Sequence, residues 1–218
     1  MKKEKVIKIF AVSCLSLIIM CSNVLAGNNG NYFNGTYKLG EYRGVKGNIE
    51  CDPVTVSRDV SIWIMLADST TSNGYIQVGW GKASGQTRNW HFYKANGDYY
   101  IHQETSVAST GTHSYQIEQD DSDWIVKVNG SNVGTVSIDD LGWNVDHAEF
   151  FGEIHDDTDD QNPGTVSDPE TMGYLKLKNS SGTWENARFT IEGITDLTHQ
   201  KNNIRLNAYT FEQWDNRY

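Results

Sequence analysis

Residues 90–103 read WHFYKANGDYYIHQ, and this stretch decides the fold class. Aromatic and other strand-favouring side chains lie on both sides of Asn96-Gly97, and an Asn-Gly pair accepts the positive φ angles of a tight two-residue turn. The pattern therefore predicts two antiparallel strands joined by a hairpin turn.

The same kind of pattern recurs along most of the chain. Short runs rich in Val, Ile, Tyr, Trp and Phe alternate with clusters of Gly, Asn, Asp and Ser, whereas helical periodicity is scarce. The predicted strands are residues 61–66, 75–80, 90–93, 99–103, 114–118, 124–129, 133–138, 148–155, 174–177, 187–192 and 204–211. We therefore predict an all-β fold with two antiparallel sheets packed face to face, a β-sandwich of the jelly-roll or concanavalin-like kind, with a closed barrel as the alternative.

The N-terminal segment has the features of a secretory signal peptide. A lysine-rich start precedes an apolar run over residues 9–20, and Val24-Leu25-Ala26 provides a small-residue cleavage site. A membrane anchor needs about 20 continuous apolar residues, and polar residues and Cys21 interrupt this run. We expect residues 1–26 to be removed and residues 27–218 to form one secreted, extracellular β-sandwich domain without a membrane anchor.

Charge and cysteine content limit the partners of this domain. Loss of residues 1–26, which carry four lysines and one glutamate, would change the formal net charge from −10 to −13. An acidic field repels phosphate, and the sequence shows no Lys/Arg stripe, so we expect no nucleic-acid binding and a soluble monomer. Cys14 and Cys21 would leave with the signal peptide, and Cys51 alone can form neither an internal disulfide nor a thiolate metal site.

Two predicted strands carry the polar side chains that suggest a function. Side chains alternate across a strand, so Tyr75 and Gln77 share one face of the first strand. On the second strand, the residues that share a face are Glu149, Phe151, Glu153 and His155. A glutamate can act as a general base on water, and a glutamine amide can donate a hydrogen bond to an oxyanion. The pattern is therefore compatible with a minimal hydrolytic site.

At these residues the chain resembles the glutamic peptidases, a β-sandwich group that comprises the eqolisins and the neprosin-like proteins. Residues 75–80, YIQVGW, resemble the strand on which eqolisins carry their glutamine, which puts that role on Gln77. Gly152-Glu153-Ile154, with the later Thr171-Met172-Gly173, resembles the Gly-Glu strand and the Met-Gly of neprosins. That match puts the catalytic glutamate on Glu153, with Glu149 as the second candidate. The resemblance covers residues 63–187.

The resemblance implies a secreted endopeptidase that hydrolyses extracellular polypeptides at acidic pH without a cofactor, a metal or a covalent intermediate. Glu153 would be the general base and then the proton donor, Gln77 the oxyanion donor and Glu149 an electrostatic partner. The residues expected to border the substrate are Trp63, Tyr75 and His155. Plant members carry paired cysteines that are missing here, and Tyr174 follows the Met-Gly where neprosins have a small-residue turn. A preference for cleavage beside proline therefore does not carry over.

An acidic run, residues 155–160, directly follows Glu153. Its carboxylates could offer oxygen ligands to Ca²⁺, but the EF-hand spacing is absent, and we expect a solvated acidic loop. The six histidines lack the tight spacing of a zinc site, so we expect no metal. Like charges in the loop are expected to raise the pKa of Glu153.

Seven tryptophans support an alternative function. A row of indoles on a sheet face can stack on sugar rings, although core packing is favoured for each tryptophan taken singly. In that alternative the protein is a non-catalytic secreted lectin or carbohydrate-binding module, and Gln77, Glu149 and Glu153 hydrogen-bond sugar hydroxyls. A third interpretation leaves these polar residues on a solvent-facing sheet with no joint role.

Overall fold

A computed structural model describes residues 30–70, 74–189, 193–204 and 208–218. The expected signal peptide, residues 1–26, lies outside the described residues. The elements, in chain order, are β1 (Tyr32–Leu39), β2 (Gly44–Cys51), β3 (Asp59–Ala67), β4 (Tyr75–Ala83), β5 (Asn89–Asn96), β6 (Tyr100–Ala108), β7 (Gly111–Asp120), β8 (Asp123–Val128), β9 (Ser131–Ser137), α1 (Ile138–Leu141), β10 (His147–Ile154), β11 (Glu170–Lys178), β12 (Trp184–Asn186), β13 (Ile194–Thr195), β14 (Gln200–Ile204) and β15 (Phe211–Asp215).

The strands form two antiparallel sheets, which confirms the predicted all-β sandwich. One is a seven-stranded sheet with the order β13-β1-β10-β3-β4-β5-β6. The other is an eight-stranded sheet with the order β14-β15-β11-β2-β7-β8-β9, and β12 pairs with β11 beside this path. A hairpin joins β5 to β6, which pair from Asn96 and Tyr100 onward, but its connection is the three residues 97–99, and neither Asn96 nor Gly97 has the positive φ expected for a two-residue turn. Glycine is required at position 97 for a different reason, because a Cβ there would clash with the carbonyl oxygen of Leu141. No helix within the described ranges is long and apolar enough to cross a membrane.

The main core lies between the two sheets. Strand alternation sends one set of apolar side chains of β3 and β4 inward, where they are almost fully buried: Ile62, Ile64, Leu66, Ile76, Val78 and Trp80. They belong to one cluster with inward residues of the eight-stranded sheet, among them Val45, Ile49, Tyr115 and Ile117. Burial of this apolar surface is the main force that holds the sheets together.

A second, smaller cluster lies on the outer face of the seven-stranded sheet, the face turned away from that core. Trp63, Phe92 and Phe151 are buried there. The half-buried residues packed against them are Phe33, Tyr37, Met65 and Ile194. The three buried rings alternate in sequence with core residues of β3, β5 and β10, so this sheet is covered by apolar side chains on both faces. Polar side chains between these rings are therefore shielded from water as well.

The predicted strands at 187–192 and 204–211 are wrong in the described residues. Residues 187–189 are irregular, and β14 ends at Ile204 before β15 begins at Phe211. Ala187 and Phe189 are fully buried by packing outside a regular strand, which explains why apolar composition was misleading there. The first two strands, β1 and β2, were not predicted. In β1 the buried positions are the polar or small residues Asn34, Gly35 and Thr36, so the usual apolar alternation is missing.

Candidate active site

Gln77 and Glu149 lie in one cross-strand row on the outer face of the seven-stranded sheet. Gln77 on β4 pairs with Met65 on β3, and Met65 pairs with Glu149 on β10. Adjacent strands lie about 4.8 Å apart, so the two backbones are roughly 10 Å apart across Met65. An amide and a carboxylate therefore flank the half-buried Met65 side chain at the same level of the sheet.

Both polar residues of this row are almost completely buried, with 5% exposure for Gln77 and 4% for Glu149. The amide nitrogen Nε2 of Gln77 has no hydrogen-bond partner within the described residues. An unpaired buried donor costs about 1–3 kcal/mol and calls for an explanation. Other described residues also have buried side-chain atoms without a hydrogen-bond partner, among them Glu170 and Gln213, so Gln77 is distinguished by its row with Glu149. Gln77 thus keeps a buried, unpaired hydrogen-bond donor on the outer face of this sheet, in the same row as Glu149.

Glu149 is hydrogen-bonded to a histidine that the sequence analysis did not single out. His147 Nε2 lies 2.8 Å from Glu149 Oε1, and His147 Nδ1 lies 2.5 Å from Asp146 Oδ1. Asp146 in turn accepts hydrogen bonds from the backbone N–H and the hydroxyl of Ser69. Burial alone would lower the pKa of His147, but the two carboxylates outweigh it and the pKa is raised. The signal was present in the sequence, since His147 precedes Glu149 by two residues and so shares its face.

Glu153 lies four residues farther along β10, about 13 Å from Glu149 along the strand. It pairs with Ser61 of β3 rather than with the Met65 row. The indole N–H of Trp63 donates to Glu153 Oε2 at 3.0 Å, and His155 Nε2 lies 3.1 Å from Oε1. Both carboxylate oxygens of Glu153 therefore have partners from the protein.

The predicted increase in the pKa of Glu153 is wrong. Burial by itself would raise this pKa, but His155, the Lys94 charge and the Trp63 N–H together hold it below its usual value. Glu153 is consequently an ionised group at neutral and mildly acidic pH. Such a group stores negative charge in the site but is a poor proton donor.

The expectation of a solvated acidic loop is wrong for Asp160, which is fully buried, whereas residues 157–159 are exposed. The buried carboxylate of Asp160 accepts from four backbone N–H groups, those of Ser57, Arg58, Asp59 and His155. Asp156 accepts from the hydroxyl and N–H of Thr158 and from the N–H of Asp159, which lowers the pKa of Asp156. In the parts of the chain that the structure describes, no three His, Cys, Asp or Glu side chains come together as a metal site.

Lys94 and Tyr75 border the other side of the Gln77 row. Lys94 on β5 pairs with Gln77, and its ammonium lies 5.1 Å from the centre of the Phe92 ring. The pKa of Tyr75 is raised to about 12, mainly by burial and then by Tyr100 and the charge of Glu153. The Tyr75 phenol therefore stays protonated and remains a hydrogen-bond donor near the site.

The outer face thus carries the six residues singled out from the sequence, spread over several rows of the sheet: Trp63, Tyr75, Gln77, Glu149, Glu153 and His155. Trp63 is only 3% exposed and holds Glu153. This leaves little of its ring for a substrate. His155 likewise contacts Glu153, whereas Tyr75 is half-buried at the border. The catalytic and binding roles of all six stay predictions.

The tryptophans do not form the exposed row that sugar stacking needs. All seven lie within the described ranges, and none is an exposed side chain. Four are buried, namely Trp63, Trp80, Trp124 and Trp143. The remaining three, Trp90, Trp184 and Trp214, are half-buried and lie on three different strands. The observation that motivated the carbohydrate-binding alternative is therefore explained mainly by packing.

The fold is shared with solved glutamic peptidases. Scytalido-glutamic peptidase, solved with a peptide-based transition-state analogue, aligns with a TM-score of 0.61 and 10% identity, over 85% of this chain and 98% of that one. SCP-B, an eqolisin solved with the tripeptide Ala-Ile-His, aligns with a TM-score of 0.58 and 12% identity over the same shares. At this identity the likeness shows a glutamic peptidase-like fold and nothing further. The resemblance to neprosins stays a prediction.

Other comparisons add little. An endo-glucanase of glycoside hydrolase family 16 from Bacteroides ovatus aligns over 58% of this chain with a TM-score of 0.40, too low to support a conclusion. No protein-family model and no curated protein matches the sequence.

Proposed function

We propose that this chain is a secreted glutamic-type endopeptidase that hydrolyses peptide bonds of extracellular polypeptides at acidic pH. The observation that carries the proposal is the row in which the unpaired Gln77 amide and the Glu149 carboxylate flank Met65. The glutamic peptidase-like fold supports it, since both solved relatives described above hold peptide or peptide-like ligands. No metal or cofactor enters the reaction.

In the proposed mechanism, Glu149 takes a proton from a water molecule as that water attacks the carbonyl carbon of the scissile bond. The carbonyl oxygen gains negative charge, and Gln77 Nε2 donates a hydrogen bond to it. Glu149 then returns the proton to the amide nitrogen of the leaving group, and the C–N bond breaks. One carboxyl group thus serves as base and then as acid, and the products are a carboxylic acid and an amine.

The choice of Glu149 over Glu153 as the base revises the expectation from the sequence. A base has to lie opposite the oxyanion donor, and Glu149 shares the row of Gln77 whereas Glu153 lies two rows away on the same face. A base also needs a free oxygen for the water. Among the described residues, the Glu149 carboxylate makes one hydrogen bond, through Oε1, whereas both oxygens of Glu153 are engaged.

We assign to His147 a positioning role. A protonated His147 donates from Nε2 to Glu149 and from Nδ1 to Asp146, which fixes the Glu149 carboxylate. When His147 loses a proton, one ring nitrogen becomes an acceptor that faces a carboxylate oxygen, and the arrangement is repulsive. Activity should therefore be highest while His147 is charged, which favours acidic pH. Glu153 contributes fixed negative charge that attracts a protonated amine of the substrate.

The direct test uses purified protein and a denatured protein substrate. We expect cleavage below neutral pH that a chelator and a reducing agent leave unchanged. The absence of cleavage at any pH from acidic to neutral would overturn the proposal. Loss of cleavage on treatment with a chelator would replace it by a metal-dependent reaction.

A further inference from the structure

The outer face of the eight-stranded sheet carries a row of lysines that the sequence does not reveal. Lys176 on β11 pairs with Lys46 on β2, Lys46 pairs with Gln116 on β7, and Gln116 pairs with Lys127 on β8. Each lysine alternates with buried apolar or small neighbours on its strand, so all three side chains leave the sheet on the side away from the core. We call Lys46, Lys127 and Lys176 the lysine row.

The lysine row is unfavourable for folding by itself. Like charges placed directly opposite each other on neighbouring strands are destabilising, and Lys46 and Lys176 are such a pair. The pKa of Lys46 is lowered, mainly by burial and then by the charge of Lys176. Contacts within the described residues offset this positive charge. Glu118 forms ion pairs with Lys127 and Lys178, and the Lys46 ammonium lies 4.2 Å from the centre of the Trp184 ring. The chain as a whole is acidic, with a formal net charge of −10, so this positive surface is a local exception.

A cleft of about 360 Å³ opens over the lysine row. Its polar lining includes the amide and hydroxyl side chains Asn48, Ser114 and Gln116. Tyr174 also lines it, is 67% exposed and has a φ of 53°, a left-handed conformation that non-glycine residues rarely adopt. This residue lies where the pairing of β11 with β2 shifts register. The cleft thus combines positive charge, neutral hydrogen-bonding groups and one exposed aromatic ring.

We propose that this cleft binds an acidic polysaccharide, a polymer of uronic acid units. The lysines would pair with the carboxylates, and the amide and hydroxyl groups would hydrogen-bond the sugar hydroxyls. The exposed ring of Tyr174 offers an apolar face to a sugar ring. The proposal is independent of the peptidase site, because the lysine row lies on the other sheet.

Other anionic polymers fit this surface less well. Strand addition by an extended polypeptide needs a free sheet edge, and the lysine row crosses β2 and β7, strands that are paired on both sides. Nucleic acid carries a dense phosphate charge, which a protein of net charge −10 repels. The three lysines of the lysine row are too few to offset that repulsion.

The test measures binding of the full chain to polygalacturonate at low and high salt. The matched ligand is the same polymer with its carboxylates methyl-esterified, and poly-glutamate and single-stranded DNA represent the other polyanions. We expect binding to polygalacturonate alone, weaker at high salt. Lys46→Gln and Lys176→Gln should each weaken it about tenfold, the loss of one charge-assisted contact. Lys201→Gln, on β14 of the same sheet, is the control and should bind as the parent protein does.

Each other outcome would overturn the inference. Equal binding to the esterified polymer would show that charge is not recognised, and preferred binding to poly-glutamate or DNA would identify another class of partner. Unchanged binding by the lysine variants would place the site elsewhere. Lys176→Gln keeps the result interpretable, because removal of one of two opposed charges should leave its melting temperature equal or higher. Lys46→Gln also loses the contact of the Lys46 ammonium with the Trp184 ring, 4.2 Å away, so its binding is compared at equal folded fraction.

Discussion

Gln77 and Glu149 lie level with each other on strands that are separated by one strand, and Met65 is the residue between them. Gln77 brings a buried amide donor that no described residue accepts from, and Glu149 brings a carboxylate held on one side by His147. The two groups therefore flank the Met65 side chain from opposite sides of one row. This relationship is the basis of the predictions on activity.

Replacement of Gln77 by alanine should lower the turnover number of peptide cleavage by roughly 10² to 10³, the usual cost of one oxyanion donor. The substitution removes an unpaired buried donor but also the packing of a buried side chain, and because these effects oppose each other the melting temperature should change little. Gln103→Ala, at an exposed position on β6 of the same sheet, is the control. A variant of Gln77 with parental turnover and a lowered melting temperature would instead make this residue structural.

The pH dependence should follow His147. Its pKa is raised in the folded protein, so its favourable contacts are complete below about pH 6.5, the ordinary value for histidine, and are lost as pH rises through the raised pKa. Activity and melting temperature should both decline over that interval. His147→Asn should remove the decline in stability and flatten the upper limb of the profile of kcat/KM. A profile that is identical in the variant would exclude a role for His147.

Asp160 should be critical for stability rather than for metal binding. Its carboxylate accepts from four backbone N–H groups, and Asp160→Ala would leave several of them without a partner. We expect a loss of about 3 kcal/mol or more in the free energy of unfolding. Asp159→Ala, at an exposed position in the same loop, should change it by at most about 0.5 kcal/mol. Urea denaturation measures both, and a rise in stability on addition of Ca²⁺ would contradict this assignment.

Much of the site could be predicted from local sequence. Strand alternation correctly grouped Gln77 opposite Ile76 and Val78, and Glu149 with Glu153, because each of these relationships spans a few residues of one strand. The choice between the two glutamates could not be made in this way. It depends on the register of β3 against β4 and β10, which joins residues 65, 77 and 149 and is set by the whole sheet.

Two further differences between the predictions from sequence and the structure also arise from contacts between strands. The lysine row draws one residue from each of β11, β2 and β8, so the absence of a Lys/Arg stripe in the sequence was a poor guide to the surface. The pKa of Glu153 was expected to follow the neighbouring aspartates in sequence. In the fold, Asp160 turns to backbone N–H groups while Trp63, Lys94 and His155 surround Glu153. The pKa of Glu153 therefore depends on residues that are close in space rather than in sequence.

The most direct test of the account compares Glu149→Gln with Glu153→Gln, two substitutions of nearly equal shape, in one assay of peptide cleavage. The account predicts that Glu149→Gln lowers the turnover number by roughly 10² to 10⁴, the range for loss of a general base. It predicts that Glu153→Gln, with an unchanged near-ultraviolet spectrum, lowers turnover by about tenfold at most, since its charge acts at a distance. Abolished cleavage in Glu153→Gln with near-parental cleavage in Glu149→Gln would contradict the account.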